Sequence, residues 1–355
     1  MAVVALRELD GLPGAPWERP LAGALDELVV ESQLLADNPL GDPTRRPLYV
    51  YRSPGAAQDS GHEVPSVYVI QGFTGQLDMW RGRVAFEPTL IERVDAMFAT
   101  GDCPEAIVVF VDAWTSRGGS QFLNSTGTGR YLDYLCDELV PFVDQHYPTR
   151  PDRDHRGLSG KSSGGYGAMV VPMLRPDVFG ALASHAGDAL FECCYMREFP
   201  TVARVLRDNF DSSYESFFKR LADSDHFDWS RFGAPFEIYG YACAYSPDPD
   251  RAGEALLPFE ITTGRVVDNV WAQWLDWDPV RMAPRRADAL ASMRRIYLDA
   301  GKSDQYFLDL GAQAFAKELD KLGVEHSLEL FEGKHGGISY RYPGAIRELV
   351  LALNG

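Results

Sequence analysis

A serine enclosed by glycines, Gly160-Lys161-Ser162-Ser163-Gly164, carries the most chemical content of any stretch in this chain. Two chemistries compete for it. The Gly-Lys-Ser core would suit a phosphate-wrapping loop of the form G-x-x-x-x-G-K-[ST], but its first glycine would fall where the chain has His155. The alternative is the G-x-S-x-G turn that presents a nucleophilic serine. A turn centred on Ser159 fails because Lys161 stands where the second glycine should be, whereas Ser162 has Gly160 and Gly164 on either side. A strained strand-to-helix turn leaves no room for side chains at those two positions, and Gly165 lets the following helix pack closely. Ser162 would then project alone, with the Ser163 N–H at the helix N-terminus available to an oxyanion.

A serine hydroxyl is a poor nucleophile at neutral pH, so this chemistry calls for a histidine base and an acid to orient it. In elbow enzymes they follow in the order Ser, Asp or Glu, His. Asp304 lies in KSD, directly after the apolar run RRIYLDAG, and His335 lies in GKHGG, after HSLELFE. Asp299, inside the first run, and Asp309, where a helix begins, are rival acids. His62, His146, His155 and His326 fall in loops or at element edges, and His226 lies in an aromatic region apart from these loops. His185, in SHAGD, either lines a pocket together with Asp188 or is a satisfied core histidine. The loop Gln71-Gly72-Phe73-Thr74-Gly75 follows the third strand, where a second oxyanion donor is expected, and the Phe73 N–H is the candidate.

The elements that must hold these residues can be read from periodicity. LVVESQLL and PLYVYR read as strands, followed by the loop SPGAAQDSGHE. VPSVYVI and AIVVFVD are short continuous apolar runs, the pattern of buried parallel strands. FEPTLIERVDAMFA, RYLDYLCDELVPFVDQHY and GGYGAMVVPMLR have helical spacing, GALASHAG reads as a small-residue strand, and LGAQAFAKELDKLG and a segment from Pro343 read as the last helices. This alternation predicts an α/β chain with a mostly parallel central sheet and helices on both faces. From about Cys193 to Arg285 the rhythm breaks into a helical, aromatic region holding four of the seven tryptophans (Trp229, Trp271, Trp274 and Trp277), read as an insertion over the carboxyl edge of the sheet. The expected organisation is a core over residues 1–192, a helical cap over 193–285 and the rest of the core over 286–355.

Composition narrows the function classes. The 355 residues are 45% hydrophobic, enough for a large core, and 34 Lys and Arg against 51 Asp and Glu give a net charge of -17 that disfavours nucleic acid and anionic membranes. The five cysteines, with Cys193 and Cys194 adjacent, form neither a disulfide framework nor a zinc spacing. No metal or other cofactor is expected. The opening MAVVALRELDGLPG lacks a basic start, and no run approaches the roughly 20 apolar residues of a membrane span, so a soluble, cytoplasmic protein is expected, and the sequence allows a homo-oligomer.

Together, ESQLLADNPLGDPTRRPLYVY, QGFTG with Trp80, DELVPFVDQHYPT, GKSSGGYGAM with RPDVFGALASHAGD, LDAGKSD and GKH resemble the putative-esterase family of the α/β-hydrolase fold. That family includes S-formylglutathione hydrolases, enterochelin esterases, feruloyl esterases and mycolyltransferases. The resemblance implies an α/β-hydrolase fold, Ser162 as nucleophile, His335 as base and acid, Asp304 as its orienter, and Phe73 and Ser163 as oxyanion donors. Gln71 stands where members often have histidine, and Lys161 where an apolar residue is usual. The expected activity is hydrolysis of a small or medium, hydrophobic or aromatic ester, with Trp271, Trp274 and His185 as substrate contacts. Acyl transfer to an alcohol or sugar is the alternative, and a non-catalytic ligand receptor is the reading from another class.

Overall fold

The structure is a computed structural model that describes residues 18–58 and 61–355. The opening segment, on which the expectation of no leader rests, lies outside the described residues. Eight strands form one sheet: β1 (Ala24–Glu31), β2 (Arg45–Arg52), β3 (Ser66–Ile70), β4 (Ile107–Val111), β5 (Arg156–Lys161), β6 (Ala181–His185), β7 (Arg295–Gly301) and β8 (Ser327–Phe331). Their spatial order is β1-β2-β4-β3-β5-β6-β7-β8. β1 pairs antiparallel with β2, and β2 antiparallel with β4; every later pairing is parallel. The predicted mostly parallel sheet is therefore observed, with an antiparallel margin at its N-terminal edge.

Burial explains the sequence patterns. β3 (SVYVI) and β4 (IVVFV) are buried throughout, because helices cover both of their faces. Val67 and Val69 point toward α1 (Leu90–Ala99) and α9 (Tyr342–Asn354), while Tyr68 and Ile70 pack with α2 (Val140–His146) and α3 (Ser163–Leu174). Thr89 and Glu92 close a capping box at the start of α1. The helical stretch before α2 widens to π geometry over Tyr134–Leu139.

Register levels the carboxyl ends of the central strands. Ile70 pairs with Gly160, Lys161 with His185, His185 with Asp299, and Gly301 with Phe331. The loops after β3, β5, β7 and β8 thus emerge along one edge of the sheet, where open α/β sheets bind ligands.

Between β6 and β7 the chain forms α4 (Phe199–Phe210), α5 (Tyr214–Ala222), α6 (Trp229–Tyr245) and α7 (Asp268–Asp276), with α8 (Leu308–Leu322) following β7. Aromatic contacts bind these helices together: Phe199 stacks on Phe259 at 4.9 Å and meets Trp271 edge-on at 5.5 Å. One buried carboxylate ties the two ends of this excursion. Asp278 accepts from the N–H of Leu190 (3.1 Å) and Phe191 (2.9 Å) where the chain leaves the core, and from Val280 (3.0 Å) where it returns.

Candidate active site

Ser162 sits between β5 and α3 with φ 60° and ψ -127°, a strained conformation for a residue with a side chain. Its neighbours leave no alternative to glycine. A Cβ on Gly160 would lie 2.4 Å from Gly164 O, and one on Gly164 would lie 2.5 Å from Ile70 O. The turn is anchored by the Ser162 N–H donating to His185 O (3.0 Å) and by the Tyr166 N–H donating to Ser162 O (2.8 Å). Ser163 opens α3, its hydroxyl donating to the buried Asp188 carboxylate (3.0 Å), which also accepts from Tyr195 (2.8 Å). Burial pushes the Asp188 carboxyl up, against the pull of those two donors.

The loop after β3 closes on this turn. A Cβ on Gly72 would lie 3.1 Å from Lys161 O and 3.4 Å from Ser162 Cβ, so glycine permits the approach. Thr74 N–H donates to Gly118 O (3.1 Å), and the Phe73 ring is wedged against Gly118, Gly240 and Tyr241, whose ring lies 4.8 Å away. Gln71 is buried behind it; in the orientation that satisfies both ends, its amide donates to Val111 O (2.5 Å) and accepts from Ala113 N (2.6 Å) and Trp114 N (3.1 Å). Gln71 therefore braces the loop against the end of β4. The N–H groups of Phe73 and Ser163 have no partner among the described residues.

Asp304 and His335 meet across the loops after β7 and β8, with 2.8 Å between Asp304 Oδ2 and His335 Nδ1. The other carboxylate oxygen accepts from the Tyr306 N–H (2.8 Å), and the Tyr306 ring stands edge-on to the imidazole at 4.8 Å. The rival acids are placed elsewhere. Asp309 lies in the first turn of α8. Asp299 binds His185 Nδ1 (2.8 Å) and Arg341 Nε (2.9 Å); burial raises its carboxyl, but the contacts with these two partners outweigh it and hold it below the usual range.

Ser162, His335, Gly72 and Phe73 border a cavity of 440 Å³ roofed by α6, which contributes Trp229, Glu237, Ile238 and Tyr241. No hydrogen bond joins Ser162 to His335 among the described residues. Lys161 also borders the cavity; burial lowers its ammonium, while Asp304 and Asp188 pull it back up. The expected substrate contacts need correction. Trp271 and Trp274 are buried in the aromatic core of the insertion, with Trp274 Nε1 donating to Ser246 Oγ (2.8 Å). His185 is fully buried against Tyr342 (4.6 Å) and is spent on Asp299. None of the three is part of the cavity lining. The residues missed by sequence reasoning are on α6, where an acid at 237 interrupts an otherwise aromatic and apolar face; that interruption was the available signal.

The model of the family described as "Putative esterase" matches residues 44–342, and the chain belongs to that family. The protein YbbA of Bacillus subtilis is 26% identical over 148 residues, which cover 40% of this chain and 57% of that protein, and an uncharacterized protein of Corynebacterium glutamicum is 24% identical over 174 residues, 49% of this chain and 37% of that protein. Two solved structures share the fold. A ferulic acid esterase superposes with a TM-score of 0.58 at 17% identity, covering 94% of this chain and 98% of the other. An S-formylglutathione hydrolase from Agrobacterium tumefaciens gives 0.54 at 16% identity, covering 95% and 98%. The architecture is thus the α/β-hydrolase fold. Among the described residues, no helix is long and apolar enough to cross a membrane.

Proposed function

We propose that this protein is a serine carboxylic-ester hydrolase that works through an acyl-enzyme. The observation that carries the reading is the 2.8 Å contact between His335 and Asp304 beside the cavity into which the positive-φ Ser162 turn opens. Asp304 orients the imidazole by accepting from Nδ1–H, which leaves Nε2 free to take the Ser162 proton. The serine oxygen attacks the ester carbonyl, and the unpartnered N–H groups of Phe73 and Ser163 receive the negative charge that develops on the carbonyl oxygen. His335 then protonates the departing alcohol and activates the water that releases the acid. The aromatic lining and the 440 Å³ volume suit a small or medium ester with apolar faces.

The test is hydrolysis of a short p-nitrophenyl ester together with fluorophosphonate labelling. Ser162→Ala is expected to lower kcat by about a million-fold and to abolish labelling, with an unchanged circular dichroism spectrum. Retained turnover in this variant would eliminate Ser162 as the nucleophile.

A further inference from the structure

We propose that the cavity selects esters bearing an ammonium group, which the Glu237 carboxylate and the surrounding aromatic faces would hold on the underside of α6. This rests on the esterase reading for the reacting bond, but the cation site itself stands on separate observations. Glu237 borders the cavity among Trp229, Tyr241, Tyr195 and Tyr306 and makes no hydrogen bond or ion pair among the described residues. The neighbouring acids are already engaged: Glu198 pairs with Arg197 (3.0 Å), and Asp188 holds Ser163 and Tyr195. The nearby cations are committed as well, since Arg197 also donates to Gln305 O (2.9 Å), and Lys161 is drawn by Asp304 and Asp188.

Burial first, and then the charges of Asp188 and Glu198, push the Glu237 carboxyl up to about 8, with Arg197 opposing. A half-buried acid raised in this way is relieved by a positive charge, and electron-rich ring faces attract the same charge. A neutral ester would leave the carboxyl either protonated or ionised without a partner, so the arrangement discriminates by charge. Because the carboxylate form is the one that pairs, cation selection should strengthen as pH rises through about 8.

Two measurements separate this proposal from the esterase reading. The first compares kcat/KM for acetylthiocholine with that for its uncharged isostere, 3,3-dimethylbutyl thioacetate, at pH 6.5 and 8.5. The wild-type ratio should favour the cationic ester at least tenfold and be larger at pH 8.5, and Glu237→Gln should reduce it about tenfold, mainly through KM. The second titrates tetramethylammonium into the Ser162→Ala protein by calorimetry, a readout that needs no turnover; binding should be seen there and be lost when Glu237→Gln is added. A wild-type ratio near one, a ratio unaffected by Glu237→Gln, or no tetramethylammonium binding would overturn the cation site. Failure of both esters to turn over while tetramethylammonium still binds through Glu237 would count against the esterase reading and leave the cation site standing.

Discussion

At the scale of single residues, two buried histidine–aspartate pairs among the described residues share a 2.8 Å contact and differ in their surroundings. His335–Asp304 borders the cavity, whereas His185–Asp299 is sealed in the core, where Arg341 and Tyr297 also bind the carboxylate. Substituting each aspartate should separate catalysis from stability. Asp304→Asn leaves the imidazole with the wrong tautomer and should lower kcat by about 10⁴ with little change in KM. Asp299→Asn removes the buried carboxylate that His185, Arg341 and Tyr297 share and should cost roughly 3 kcal/mol in urea unfolding. Because the Asp299 carboxyl is held below its unfolded range, its stabilisation is fully present above the ordinary carboxylate range and is lost as pH falls through the depressed value. Wild type and Asp299→Asn should therefore converge in unfolding free energy as the pH is lowered below the ordinary carboxylate range. The placement of Ser162 on the β5–α3 turn and of Asp304 and His335 in the loops after β7 and β8 was legible in the sequence because a strand-to-helix glycine turn and loops at strand ends have local signatures. His185 was not, since its short motif beside the elbow reads equally as pocket or core, and only the register that sets it against Asp299 decides.

At the scale of elements, the turn between β5 and α3 depends on backbone passing backbone. Gly164 lies where a methyl group would meet both Ile70 O (2.5 Å) and Gln71 O (2.7 Å), neither of which can rotate away. Gly164→Ala should therefore destabilise the protein by about 1–3 kcal/mol and depress kcat by displacing the Gln71–Gly75 loop, measurable as a lower thermal midpoint and slower ester hydrolysis. The inner strands β3 and β4 were readable to within a residue or two because doubly covered strands leave continuous apolar runs, whereas the edge strand β1, half-exposed, runs over Ala24–Glu31, four residues before the expected LVVESQLL. Within the insertion, helical character was readable but the inward faces were not. Tryptophan at 271 and 274 and at 229 looks alike in composition, and only the packing of α7 into the aromatic core and of α6 over the cavity separates them.

At the scale of the whole molecule, one apolar cluster runs from α3 and β7 through α8 into the aromatic interior of the insertion, including Tyr166, Leu298, Phe315, Phe199 and Trp274. A continuous interior leaves no plane along which the insertion could melt first. Tryptophan fluorescence, dominated by the four indoles of that region, and far-ultraviolet circular dichroism should give coincident urea midpoints; an earlier fluorescence transition would reveal a separately folding cap. The staple at Asp278 has a further consequence. Since one carboxylate holds both the departing and the returning strand of chain, the roof can in principle be exchanged like a cassette by joining a foreign segment at two adjacent points. Any such graft would have to bring its own greasy underside to meet α3 and α8, so substrate preference in this architecture is transplantable only together with the ballast that seats it.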